Sequence, residues 1–193
     1  MRRFLILTLF LSFSSLAAQT PEEESRSQML RHDMLQWHQI SGMATWALWL
    51  ATNLKGEESI RSLRRTNEPA ANAILLANPQ QNWPLYYLVL NNSEWKAKRG
   101  GGEHRALAGL TVGAYALTAG LSLLAPSRAR ETDEFDSVSA HKLLALVHFA
   151  ALASMPSLGK KIEHKGPAAA RRMQQVGWAG FGTLSVAVAV FYF

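Results

Sequence analysis

The stretch Ser139-Ala140-His141-Lys142-Leu143-Leu144-Ala145-Leu146-Val147-His148-Phe149 sets two imidazoles seven residues apart in an apolar segment. At about 100° per residue the two rings return to nearly the same helix face, with His148 about 10 Å further along the axis than His141. Ionisable rings in hydrocarbon are costly, so each is a candidate functional residue if the segment crosses a bilayer. Two further histidines, His38 and His104, also stand at or inside long apolar stretches.

Working outward, the chain reads as apolar blocks separated by charged connections. Four blocks approach the roughly 20 residues that a membrane crossing requires: 28–54, 103–124, 137–155 and 167–193. Pro126 ends the second, Pro156 and Gly159 lie at the end of the third, and Pro167 suits the first turn of the fourth. The expected fold is all-α, an integral membrane four-helix bundle running up-down-up-down after a cleaved signal peptide. The segment 55–102 is expected as a cytoplasmic or interfacial loop. Within it, 69–92 has apolar pieces too short to cross, broken by Pro79, Asn82 and Pro84, with Trp83, Tyr86 and Tyr87 placed to sit at headgroup level. A fifth crossing there is the minority reading.

The N-terminus carries Met1-Arg2-Arg3, an apolar run from Phe4 to Leu11, and small residues before Gln19. That pattern is expected of a secretory signal over residues 1–18, its apolar run being short for an anchor. Charge gives the orientation. One side collects Lys55, Arg61, Arg64, Arg65, Lys96, Lys98, Arg99, Arg105, Lys160, Lys161, Lys165, Arg171 and Arg172, and the other Arg26, Arg31, Arg128 and Arg130. By the positive-inside rule the expectation is a multi-pass protein of a bacterial inner membrane, N-terminus and the acidic 131–136 loop periplasmic.

Composition removes several function classes. The 193 residues include no cysteine, which excludes disulfides, thiolate metal sites, iron–sulfur clusters and covalently attached haem. The net charge of +6 follows from membrane topology, so no nucleic-acid partner is expected. No phosphate-binding glycine loop or nucleophile motif is present.

In the expected topology His32, His38 and His141 lie toward the outer side and His104 toward the inner side. Diagonal parallel helices of a bundle could then clamp a planar macrocycle, and neutral imidazole is a usual axial ligand of haem iron. The motifs His104-Arg105-Ala106-Leu107-Ala108-Gly109, His141 through His148, and Trp37-His38-Gln39-Ile40-Ser41-Gly42 resemble the cytochrome b-561 superfamily and related four-helix membrane cytochromes b. The resemblance implies transmembrane electron transfer through one or two b-type haems held by histidine pairs, the protein acting alone or as the membrane subunit of a redox complex. Carried onto this chain, His38 with His141 or His148 would hold one haem, and His104 would belong to a second. The fourth block has no histidine, showing Gly177-Trp178 instead, and His164 lies in the preceding connection. The alternatives are a haem-free scaffold or assembly subunit of a larger membrane complex, and a His-lined metal or proton pathway.

Overall fold

The computed structural model describes residues 20–91, 102–127 and 136–191, and every regular element in them is α-helical. The elements are α1 (Pro21–Ala77), α2 (Trp83–Asn91), α3 (Gly102–Leu124) and α4 (Ser137–Ala189). The expected signal peptide, the 131–135 acidic run and the final Tyr192-Phe193 lie outside the described residues.

Helix α1 begins earlier than the apolar pattern indicates because its start is chemically specified. Thr20 Oγ1 accepts from the Glu23 amide while the Glu23 carboxylate accepts from the Thr20 amide at 2.9 Å, a reciprocal capping box. Pro21 opens the helix, and Glu22, Glu23 and Glu24 face the positive end of its dipole. The helix then runs 57 residues, through Pro69, to an extended Asn78 followed by Pro79. Asn82 Nδ2 donates to the Ile74 carbonyl at 2.7 Å, folding the chain back so that α2 packs on α1. Much of the stretch expected as a loop is therefore helical.

Helix α4 contains a reversal. Gly166 has φ 55° and ψ −132°, a conformation open in practice to glycine alone. Its two arms, 137–165 and 167–189, lie antiparallel: His141 Nδ1 meets the Ala187 carbonyl at 2.9 Å, and Gly180 approaches Ala151. Helix α1 is the central element. It lies antiparallel to α3 along a seam of hydroxyls, with Thr45 Oγ1 3.2 Å from Thr118 Oγ1 and Thr52 Oγ1 2.9 Å from Thr111 Oγ1. On another face it meets the second arm of α4, where Trp46 Nε1 donates to Ser185 Oγ and Asn53 Nδ2 to the Gly177 carbonyl. Trp49, Tyr115 and Leu184 form the apolar centre between these seams.

The expected up-down-up-down bundle of four membrane crossings is overturned. Among the described residues two segments alone are long and apolar enough to cross a membrane, Gly102–Leu124 and Ser137–Ile162. In α1 the tryptophans alternate with Ser41, Thr45, Thr52, Asn53, Lys55 and Glu57, and the last arm of α4 carries Arg171, Arg172 and Gln174. Ser41, Thr45, Thr52, Asn53, Lys55, Glu57 and Gln174 pair across helix seams, so the blocks that look apolar around them are packing faces as much as lipid faces. The first and fourth blocks are not independent spans: one is part of a far longer helix, and the other is the return arm of α4.

The two apolar segments do not hide their side chains. Leu110, Leu117 and Leu123 on α3, and Leu143, Leu146 and Phe149 on α4, all point outward, Leu146 being 67% exposed. A core helix of a water-soluble domain would bury such a stripe.

Candidate functional site

Three of the four candidate histidines use one ring nitrogen in the same way. His38 Nδ1–H donates to the Thr118 carbonyl at 2.8 Å, His141 Nδ1–H to the Ala187 carbonyl at 2.9 Å, and His104 Nδ1–H to the Thr52 carbonyl at 2.9 Å. A carbonyl can only accept, so each contact places a proton on Nδ1, and Nε2 is the nitrogen that would carry the lone pair in the neutral ring. The same Nδ1–H to carbonyl bond is the usual way a protein orients a metal-ligating imidazole.

His38 and His141 are brought together from α1 and α4, their ring centroids 6.0 Å apart and their planes at 77°. The α1 position is built by the Ser41–Thr118–Thr45 hydroxyl cluster, which fixes α3 against α1 one turn below His38. Gly42 faces Thr118, and a Cβ there would sit in ordinary contact with Thr118 Cγ2 at 3.7 Å. On the other side Phe191 tilts against His141 with centroids 4.7 Å apart.

His148 is placed differently. It is 5% exposed, its Nδ1 lies 3.0 Å from the Tyr115 hydroxyl, and its Nε2 is buried with no hydrogen-bond partner. This ring faces α3, whereas His141 on the same helix faces the second arm of α4 and His38. The sequence places both on one face, but the two neighbours of that face divide them.

His104 joins neither group. It stands at the first turn of α3, fourteen residues and about 21 Å along the axis from the Thr118 carbonyl that receives His38. Its ring packs over Gly56, where a Cβ would meet the His104 ring at 3.2 Å. The four candidates therefore form one pair and two separate positions. Among the described residues no group of three or more His, Cys, Asp or Glu is arranged to hold a metal ion.

Tyr115, Thr118, Phe191 and the Ala187 carbonyl are the site residues that sequence reading missed. A signal existed for part of them. Thr45 and Thr52 on α1, and Thr111 and Thr118 on α3, repeat at seven residues, the spacing of a shared helix face. Matching repeats on two apolar helices are what a hydroxyl-paired seam looks like before folding.

Near the other end of the α1–α4 seam, Glu57 receives hydrogen bonds from Gln174 Nε2 and from Trp178 Nε1, the latter at 2.9 Å. Those two donors, Gln174 first, hold its carboxyl below the usual carboxylate range. Lys55 bridges Glu58 at 2.8 Å and Glu103 at 3.0 Å, joining α1 to the start of α3.

No family model, curated protein or solved structure matches the chain. The likeness to cytochrome b-561 proteins thus rests on the short histidine motifs, and the functional argument rests on the site itself.

Proposed function

We propose that this is a membrane protein that transfers electrons through a b-type haem held between His38 and His141. The observation that carries the reading is the His38–His141 pair. Two imidazoles that would share one iron must bring their rings close together with Nε2 available to it. The two ring centroids lie 6.0 Å apart, and both rings already have Nδ1 committed to a carbonyl.

Two imidazoles with no third His, Cys, Asp or Glu beside them among the described residues would suit haem iron better than a bare ion, which takes more of its ligands from the protein. Iron bound there would supply one-electron chemistry by alternating between its ferric and ferrous states. The chain's own part is orientation. The Thr118 and Ala187 carbonyls aim the two rings. Phe191 limits rotation of His141, and the threonine seam holds α1 and α3 in register. His104 and His148 have no second histidine beside them, so the proposal is a single haem. A redox partner protein or membrane complex would deliver and remove the electron.

The bilayer part of the proposal rests on the outward leucines of α3 and of the first arm of α4. The antiparallel pair crosses twice, and the positive-inside rule orients the basic end toward the cytoplasm of a bacterial inner membrane. A haem-free scaffold is the second reading, favoured by one observation: every candidate histidine already has a protein partner at Nδ1.

Spectroscopy separates the two. Protein purified after expression with haem supplied should give a sharp reduced-minus-oxidised spectrum of a six-coordinate low-spin haem. His38→Ala and His141→Ala should each abolish it, and His32→Ala and His104→Ala should leave it. Folded, colourless protein without extractable haem defeats the cytochrome reading and leaves the scaffold.

A further inference from the structure

The geometry points to a second binding surface: a seat for the phosphate headgroups of anionic phospholipid at the turn of α4, built by Lys160, Lys161 and Lys165 on the first arm and Arg171 and Arg172 on the second. It rests on the bilayer part of the functional reading and not on haem. In sequence these cations are two groups on either side of Gly166-Pro167. The glycine reversal folds the second arm back along the first, so that both groups occupy the turn end of the α4 hairpin, and all five side chains are exposed.

Position and charge balance both support a lipid occupant. The apolar segment Ser137–Ile162 is 26 residues, about 39 Å at 1.5 Å per residue, against a hydrocarbon core of about 30 Å. Its last residues therefore reach headgroup depth, and that is where Lys160 and Lys161 stand. The nearby carboxylates with described side chains are already engaged. Glu57 accepts from Gln174 and Trp178, and Glu58 and Glu103 bind Lys55. None of the five cations forms an ion pair with a carboxylate among the described residues. A cluster of unpaired cations at the depth of lipid phosphates attracts anionic headgroups, each cation near the surface contributing about a five-fold factor.

The positive-inside pattern explains why basic residues stay on one side, but it acts during insertion and requires no convergence of two arms. Convergence predicts a preference that can be measured in the finished protein. The full chain should be reconstituted in phosphatidylcholine bilayers, with association of spin-labelled phosphatidylglycerol compared with spin-labelled phosphatidylcholine at low ionic strength. The expected selectivity is at least about five-fold for phosphatidylglycerol. It should fall within two-fold of unity at high salt and in a variant carrying Lys160→Gln, Lys161→Gln, Lys165→Gln, Arg171→Gln and Arg172→Gln. Lys142→Gln, one basic change near the opposite end of the same arm, should leave it unchanged, and helical circular dichroism should match across all three proteins. Equal association of the two lipids, or selectivity that survives the five changes, overturns this inference while leaving the bilayer reading intact. A chain that does not float with the vesicles overturns both.

Discussion

Gly180 is where α1 and both arms of α4 meet most closely, and adding one methyl group there tests the packing of the whole molecule. A Cβ built on Gly180 would lie 2.7 Å from Ala151 Cβ and 2.8 Å from Trp49 Cζ2. Carbon atoms in contact sit at about 3.5–4.0 Å, so Gly180→Ala requires a separation of roughly 0.8 Å or more on two sides at once. Neither neighbour can yield cheaply. Ala151 has no rotamer to change, and Trp49 is 2% exposed at the centre of the apolar cluster. Overpacking of this kind costs about 1–3 kcal/mol. Alanine is also a better helix former than glycine by about 1 kcal/mol, which would mask part of the loss. Gly182 removes that ambiguity: it lies in the same arm, and its Cβ would meet nothing within 4 Å. Gly180→Ala should therefore be less stable than Gly182→Ala by about 1–3 kcal/mol, read from unfolding of the detergent-solubilised protein by circular dichroism. Equal stability of the two variants would refute the close meeting of three helices, and with it the placement of His141 beside His38.

Tyr115→Phe removes the hydrogen-bond partner of His148 Nδ1, whose ring has no other among the described residues, and should cost about 1–3 kcal/mol; the double change Tyr115→Phe with His148→Leu should recover part of that loss, and strict additivity in the cycle would contradict the contact. Gly166→Ala should destabilise by about 1–3 kcal/mol, because an L side chain is strained at φ 55°, and a neutral result by the same unfolding measurement would argue against the α4 reversal. Glu57→Ala should cost about 1 kcal/mol near neutral pH, since two donors lose their acceptor at a partly exposed site. The folded carboxyl titrates below its unfolded value, so its contribution is present above the unfolded pKa and is lost as pH falls through the folded one. The stability difference between wild type and Glu57→Ala should close on acidification; a gap that widens would contradict the bonding.

Much of the molecule could be read before folding, and the boundary between what could and could not is physical. Helical periodicity, the prolines at 126 and 167 and the long apolar runs are local signals, and they determined the all-α class and placed α3 within a residue of its observed start. They also identified His38, His104, His141 and His148 as unusual, because an imidazole in an apolar run is improbable without a reason. The number of crossings was not legible. Apolar content does not say whether a face meets lipid or another helix, and in α1 the threonines and Asn53 that lower its hydropathy are satisfied only by groups on α3 and α4. The start of α1 at Pro21 is written in Thr20 and Glu23, a polar capping signal that lies well before the apolar run and has no part in its periodicity.

The choice between His141 and His148 as the neighbour of His38 belonged to the tertiary structure. A seven-residue spacing makes His141 and His148 share a face, and nothing local distinguishes them. The Gly166 reversal lays the last arm of α4 beside His141 and offers it the Ala187 carbonyl, whereas α3 presents Tyr115 to His148. Sequence by itself determined which side chains carry chemistry, because residue type and helix phase are properties of the local chain. Which of them meet was decided by the reversal at one glycine and by the antiparallel seams around α1, since contacts between residues far apart in the chain, such as His38 and His141, exist only once the helices have packed.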